Sequence, residues 1–163
     1  MPQPKHIVRI PLPKPEELDE VTQKYFMICE EKLGMVPNVL RAYTGNIEKF
    51  RVFTSYYNKL MLDEKDCNLT ILEREMIAVV VSSANRCYYC LVAHGQAVRQ
   101  ISGDPELGEM MVMNYRVAEL DKRTRTMLDF AWKLTKSPYD INEIDRESLR
   151  QAEFSDQDIF DIC

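Results

Sequence analysis

Four side chains in one stretch of the chain could do chemistry together: Glu75, Cys87, Cys90 and His94, spaced Glu-x11-Cys-x2-Cys-x3-His. Cys87, Cys90 and His94 stand at i, i+3 and i+7. At about 100° per residue they fall within roughly 60° of one another on a helix, so one face carries both thiols and the imidazole. Asn85-Arg86 interrupts the preceding pattern and suits a helix end, which predicts that Cys87 and Cys90 lie in the first turn of the next helix. Unpaired backbone N–H groups and the positive end of the macrodipole stabilise a thiolate there. A free thiol of pKa about 8.5 is lowered in that setting, and further by a base or cation. His94 lies one turn beyond Cys90, placed to take its proton. Glu75 reaches His94 only if tertiary packing brings them together, and it then orients the imidazole as the third group of an activated nucleophile.

These groups need elements to hold them. Met76 to Val81 is apolar without a break, and a helix apolar nearly all round is a buried one. The expected unit is two packed helices, one presenting Glu75 and the next opening at Cys87. Ile77 to Val81 is also rich in β-branched residues and short enough for a buried strand, but no comparable run exists to pair with it. Thr70-Ile-Leu-Glu73 has the capping-box form that starts the Glu75 helix. The helix from Cys87 is expected to run to about Ile101 and stop at Gly103.

The remaining punctuation predicts helices throughout. Pro2, Pro4, Pro11 and Pro13 make residues 1–14 an extended arm with at most one short strand around Ile7 to Ile10. The helical domain is expected over 15–163. Pro15 suits a first turn and Gly34 a C-terminal cap, with Leu18, Val21, Tyr25, Ile28, Cys29 and Leu33 as the apolar stripe. Cys29 on that stripe reads as a small buried apolar residue. Short and longer helices follow at Asn38 to Tyr43 and Ile47 to Leu62, with Phe50, Phe53, Tyr57, Leu60 and Met61 on one side. Cys67 falls in a polar connection. Later helices are expected over Glu106 to Met113, from Asp121 to about Thr135, from Asn142 to about Glu153, and from Ser155 onward. The fold class is all-α, a single-domain bundle with short connections.

Composition narrows the function classes. The 163 residues carry a net charge of −5 and no block of Lys or Arg, so neither nucleic acid nor an anionic membrane is an expected partner. No apolar run approaches a membrane span, and Met1 to His6 lacks the apolar segment of a signal peptide. Five cysteines, three of them scattered, fit a cytoplasmic protein with one working pair better than a secreted disulfide framework.

The spacing of Glu75, Cys87, Cys90 and His94 resembles the signature of the AhpD-like superfamily, which holds alkylhydroperoxidase D and the carboxymuconolactone decarboxylases. Flanking blocks resemble its peroxidase-related branch: Leu33-Gly-Met-Val-Pro-Asn-Val-Leu-Arg41, Glu73-Arg-Glu-Met-Ile-Ala-Val79, Ala84-Asn-Arg-Cys-Tyr-Tyr-Cys90, Ala93-His-Gly95 and Met127-Leu-Asp-Phe-Ala131. The resemblance implies an AhpD-like helical bundle forming homo-oligomers (trimer, hexamer or dimer) with no metal and no organic cofactor. It implies a peroxiredoxin-type activity in antioxidant defence, with a hydroperoxide substrate and a dithiol reductant protein of thioredoxin-like or lipoyl type. By position, Cys90 is then the peroxidatic thiol, Cys87 the resolving thiol and proton source, and His94 with Glu75 the proton relay. Alkylhydroperoxidase D has a second histidine just before the second cysteine, where this chain has Tyr89. A phenol of pKa about 10 shuttles protons poorly near neutrality, so this chain departs from the relay of that enzyme while the dithiol chemistry is untouched. Tyr88 and Tyr89 are expected to wall the site.

Three other readings use the same residues. A decarboxylase or lactone enzyme would use His94 and Glu75 as acid and base and leave the thiols idle. A structural zinc site could use all four side chains, although such sites usually draw a second ligand pair from a distant segment. A disulfide sensor would use the thiols without turnover.

Overall fold

The computed structural model describes residues 8–63, 65 and 67–163. Every regular element among them is helical. The nine α-helices are α1 (Glu20–Leu33), α2 (Asn38–Tyr43), α3 (Ile47–Tyr57), α4 (Ile71–Ala84), α5 (Tyr88–Ser102), α6 (Pro105–Asn114), α7 (Lys122–Lys136), α8 (Glu143–Gln151) and α9 (Asp156–Ile162). The run around Ile77 is helix, not strand. Ile7, where the short strand of the proline-rich arm would begin, lies outside the described residues; residues 8–10 form a bend. The chain divides into two compact units, one ending at Leu60 and the other running from Met61 to Cys163.

In the first unit the capping chemistry shifts the expected start of α1. Pro15 opens a single 3-10 turn, Pro15–Glu17, and the helix proper begins after Asp19. The Asp19 carboxylate accepts from the N–H groups of Val21 and Thr22, satisfying two orphan donors. Gly34 ends the helix at φ 71°, a left-handed conformation that a side chain would strain. The buried stripe of α1 is Thr22, Phe26 and Cys29, while Val21 is 70% exposed. The expected stripe is therefore rotated, and Val21, Ile28 and Leu33 face outward. Leu18, Phe26, Cys29, Leu40 and Phe50 form this unit's core, with Tyr25 and Phe26 both edge-on to Phe50. Cys29 is a small core residue, as expected. After Tyr57 the chain continues as a π-helical turn, Asn58–Leu62, rather than as α-helix.

In the second unit α4 is the centre. It packs against α5, α6 and α7. Met76, Val79 and Val80 are buried with Val98 of α5, Met111 of α6, Met127 and Leu128 of α7, and Leu149 of α8. At about 25 cal/mol per Å² of apolar surface, burial of such side chains stabilises by roughly 1.5–3 kcal/mol each. The expected capping box is present: Thr70 N–H donates to Glu73 at 2.8 Å, and Glu73 N–H donates back to Thr70 Oγ1 at 3.1 Å. Pro105 at the first position of α6 and Asp121 before α7 start those helices as the sequence predicts. α5 and α6 cross closely, because a Cβ on Gly108 would stand 2.2 Å from Cγ of Arg99. The end of α8 comes earlier than expected: Glu153 turns left-handed at φ 67°, and Phe154 N–H bonds back to the Leu149 carbonyl at 3.1 Å.

Candidate active site

The link between α4 and α5 is a tight reversal three residues long. Arg86 N–H donates to the Ser83 carbonyl at 3.0 Å, and Cys87 N–H donates to the Ser82 carbonyl at 3.0 Å. These are the paired 5→2 and 6→1 bonds of a Schellman motif. Its left-handed position belongs to Arg86, at φ 54°, where glycine is the usual occupant. The reversal sets Cys87 as the N-cap of α5, with Cys90 three residues on at the end of the first free turn. The turn lies at Asn85-Arg86, where the sequence predicts a helix end, and Arg86 is its left-handed residue.

Packing of α5 on α4 brings Glu75 and His94 together. His94 Nδ1 and Glu75 Oε2 are 2.7 Å apart. Glu75 is 4% exposed, so this carboxylate has exchanged water for the imidazole. The two thiols form a second pair. Cys87 and Cys90 are unbridged and share a side-chain hydrogen bond. Their acidities move apart. The hydrogen bond from Cys90, then the N–H groups of Cys90 and Tyr89, hold the Cys87 thiol below its ordinary range. Burial, then the hydrogen bond and charge of Cys87, push Cys90 above it. This reverses the expectation that Cys90 is the acidified thiol. The N-cap position explains it: the sulfur nearest the free N–H groups is that of Cys87, while Cys90 is tucked toward α4.

One further residue borders the pair. Ser82 of α4 is 7% exposed, donates its hydroxyl to the Ala78 carbonyl at 2.5 Å, and works against the upward push on the Cys90 thiol. It follows directly on the apolar run Met76 to Val81. The available signal was its spacing: seven residues after Glu75 is two turns along one face of a helix. Tyr88 is 81% exposed and Tyr89 40% exposed, both in the first turn of α5. Among the described residues no group of three or more His, Cys, Asp or Glu side chains is arranged to hold a metal ion.

The match to known proteins follows this geometry. The model of the carboxymuconolactone decarboxylase family matches residues 48–131, which include all four motif residues. The chain belongs to that family, within the AhpD-like superfamily. A crystal structure of a peroxidase-related protein from Silicibacter sp. TM1040 is 61% identical, covering 99% of this chain and 82% of that one, with a TM-score of 0.91. A second, described as an alkylhydroperoxidase AhpD core from Ralstonia eutropha JMP134, is 40% identical over 98% of this chain and 83% of that one, with a TM-score of 0.90. The debrominase Bmp8 shares the fold alone, at 17% identity and a TM-score of 0.72, over 88% of this chain and 75% of that one. No curated protein matches the chain significantly. Among the described residues, no helix of this AhpD-like protein is long and apolar enough to cross a membrane.

Proposed function

We propose that the protein is a thiol-dependent peroxidase that reduces hydroperoxides through Cys87 and Cys90, with Glu75 and His94 as its proton relay. The observation that carries this reading is the placement of two free thiols at the first turn of α5, with His94 one turn beyond Cys90 and held at 2.7 Å by the buried Glu75. The lowered titration range of Cys87 and the raised one of Cys90 place the pair's first negative charge on Cys87. Transfer of the Cys90 proton to Cys87 creates the more basic thiolate, which is the stronger nucleophile once formed. Its attack on the distal oxygen breaks the O–O bond and leaves a sulfenic acid on Cys90. The departing alkoxide takes the proton back from Cys87 and leaves as the alcohol. The Cys87 thiolate then attacks the Cys90 sulfur, forming the disulfide and expelling hydroxide, which a proton from His94 converts to water. Glu75 holds and orients the His94 ring through the 2.7 Å contact. A dithiol protein, thioredoxin-like or lipoyl-type, restores both thiols by exchange and is itself oxidised to a disulfide. This relay needs no second histidine, which fits Tyr89 at that position. The working form is read as a homo-oligomer, and the role as antioxidant defence in the cytoplasm.

One equivalent of an alkyl hydroperoxide tests the reading. Mass spectrometry is expected to find a Cys87–Cys90 disulfide in the wild-type chain and a sulfenate on Cys90 in the Cys87→Ser chain. Faster oxidation of Cys87 in a Cys90→Ser chain gives the attacking role to Cys87. Oxidation confined to Cys29 or Cys67 ends the redox reading. Turnover of a carboxymuconolactone-type substrate that survives Cys90→Ala would instead support acid–base work by His94 and Glu75.

A further inference from the structure

The first unit carries a cleft that its own core leaves open. Tyr43 at the end of α2 and Glu48, Lys49, Val52, Phe53 and Tyr56 of α3 line about 440 Å³ of space. Tyr43 and Phe53 make its wall, stacked 4.2 Å apart and 7° from parallel. Lys49, Val52, Phe53 and Tyr56 stand at i, i+3, i+4 and i+7, so they share one face of α3. Phe50 and Thr54 are the buried residues of this helix, whereas Val52 and Tyr56 are 71% and 66% exposed. Aromatic and aliphatic side chains at the centre with charged ones at the edge are the anatomy of a protein interface.

Charge narrows the partner. The chain carries −5 overall, so two copies repel except where a face holds no surplus acid. The one carboxylate lining this face, Glu48, is held by Arg51 of the same helix at 2.8 Å. Lys49 makes no ion pair or side-chain hydrogen bond among the described residues, so its ammonium is left for another molecule. The order of the stripe supplies the rest. Val52 lies near its middle, three residues after Lys49 and four before Tyr56. Turned end for end, the stripe matches itself: valine meets valine, and lysine meets tyrosine. A two-fold contact requires that self-complementarity, because the same patch serves both sides. The face of a tyrosine ring attracts a cation, so Lys49 of one copy finds in Tyr56 of the other the partner it lacks in its own chain. An unrelated partner needs no such symmetry.

We propose that the α2–α3 cleft is a two-fold interface between copies of this chain, with Val52 at the axis and Lys49 of each copy set against Tyr56 of the other. The proposal rests on the homo-oligomer reading above and names the surface that makes it; the thiols take no part.

The test is the association of the full-length chain, read by sedimentation velocity over a dilution series. Val52→Glu sets two carboxylates against each other at the axis and is expected to lower the sedimenting mass, with helical circular dichroism retained because Val52 is exposed. Lys49→Gln removes the cation from both symmetric contacts and is expected to weaken association by about tenfold, whereas Lys49→Arg keeps it. A second measurement reads the register itself. Val52→Cys is oxidised with diamide, and peptide mass spectrometry is expected to find position 52 of one copy joined to position 52 of another. A Val52→Glu chain of wild-type mass, a Lys49→Gln chain of wild-type affinity, or the absence of a 52–52 link overturns the proposal. If the wild-type chain associates, those results end only this interface; if it sediments as a monomer, the homo-oligomer reading has failed with it.

Discussion

At the scale of single residues, the proposed chemistry turns on two pairs, the thiols Cys87 and Cys90 and the Glu75–His94 contact. Cys87 and Cys90 split their acidities because one hydrogen bond serves both: it stabilises charge on the acceptor sulfur and the proton on the donor. The sign of a pH effect follows. Removing Cys90 takes away the largest influence lowering Cys87, so Cys90→Ala is expected to raise the Cys87 alkylation midpoint toward the ordinary thiol value of about 8.5. Iodoacetamide labelling of Cys87 at pH 7 then slows relative to wild type, whereas a pair without this contact gives equal rates. The Glu75–His94 pair carries a different expectation. Gln in place of Glu75 keeps the shape and a hydrogen bond but removes the carboxylate from the relay. Glu75→Gln is expected to slow hydroperoxide-driven disulfide formation by about 10²-fold, the scale of general acid–base catalysis, while the Cys87 alkylation profile stays put. Stopped-flow loss of free thiol reads the first quantity.

At the scale of elements, the α4–α5 reversal and the α5–α6 crossing hold these groups in place, and each depends on one backbone position. Arg86 occupies a left-handed conformation at a Schellman C-terminus, which costs a residue with a Cβ about 1–2 kcal/mol. Arg86→Gly removes that cost and leaves the bonds to Ser82 and Ser83 in place. It is expected to stabilise the chain by about 1 kcal/mol, read as a higher urea midpoint at unchanged slope. Gly95, beside His94, gives the opposite result, since a Cβ there would stand 2.5 Å from Cγ2 of Val112. Gly95→Ala is expected to destabilise by about 1–3 kcal/mol as α5 and α6 are forced apart, lowering the same midpoint. The two changes also show what the sequence could disclose. Caps and breakers such as Thr70, Pro105, Asp121 and Ser155 act locally, so they marked helix starts to within a residue. The Glu75–His94 contact was legible because an apolar run next to a second helix has few ways to pack. Arg86 was not, because a left-handed arginine follows from the geometry of the reversal and not from its own preference. Nor was Ser82, since a serine within a helix ordinarily bonds back to its own backbone, as this one does. The order of thiol acidity needed the cap position of Cys87 to a precision that spacing alone does not carry.

At the scale of the whole molecule, the apolar surface left uncovered is itself informative. The buried stripe of α1 differs from the one its apolar spacing predicts for a physical reason: the helix has apolar residues on two sides, and only the side of Phe26 and Cys29 meets the core of its own unit. Val21 and Ile28 lie a heptad apart on another side, and Met27 beside them is 68% exposed. Val52 and Tyr56 on α3 are also exposed, an i, i+4 pair on one helix face. In the second unit Met113, Val117 and Phe160 stand in solvent. Single exposed apolar residues are ordinary on any surface, but repeated helix-face pairs in one chain are the pattern that association covers. We therefore expect the chain to self-associate, with sedimentation velocity giving a mass that is a multiple of 19.1 kDa. Changing Val21 and Ile28 together to Lys places like charges on that face of α1, where association would have to bury them. The double variant is expected to sediment at a smaller mass with its helical circular dichroism retained. The outcome that sinks this expectation is a wild-type chain that sediments as a monomer at micromolar concentration.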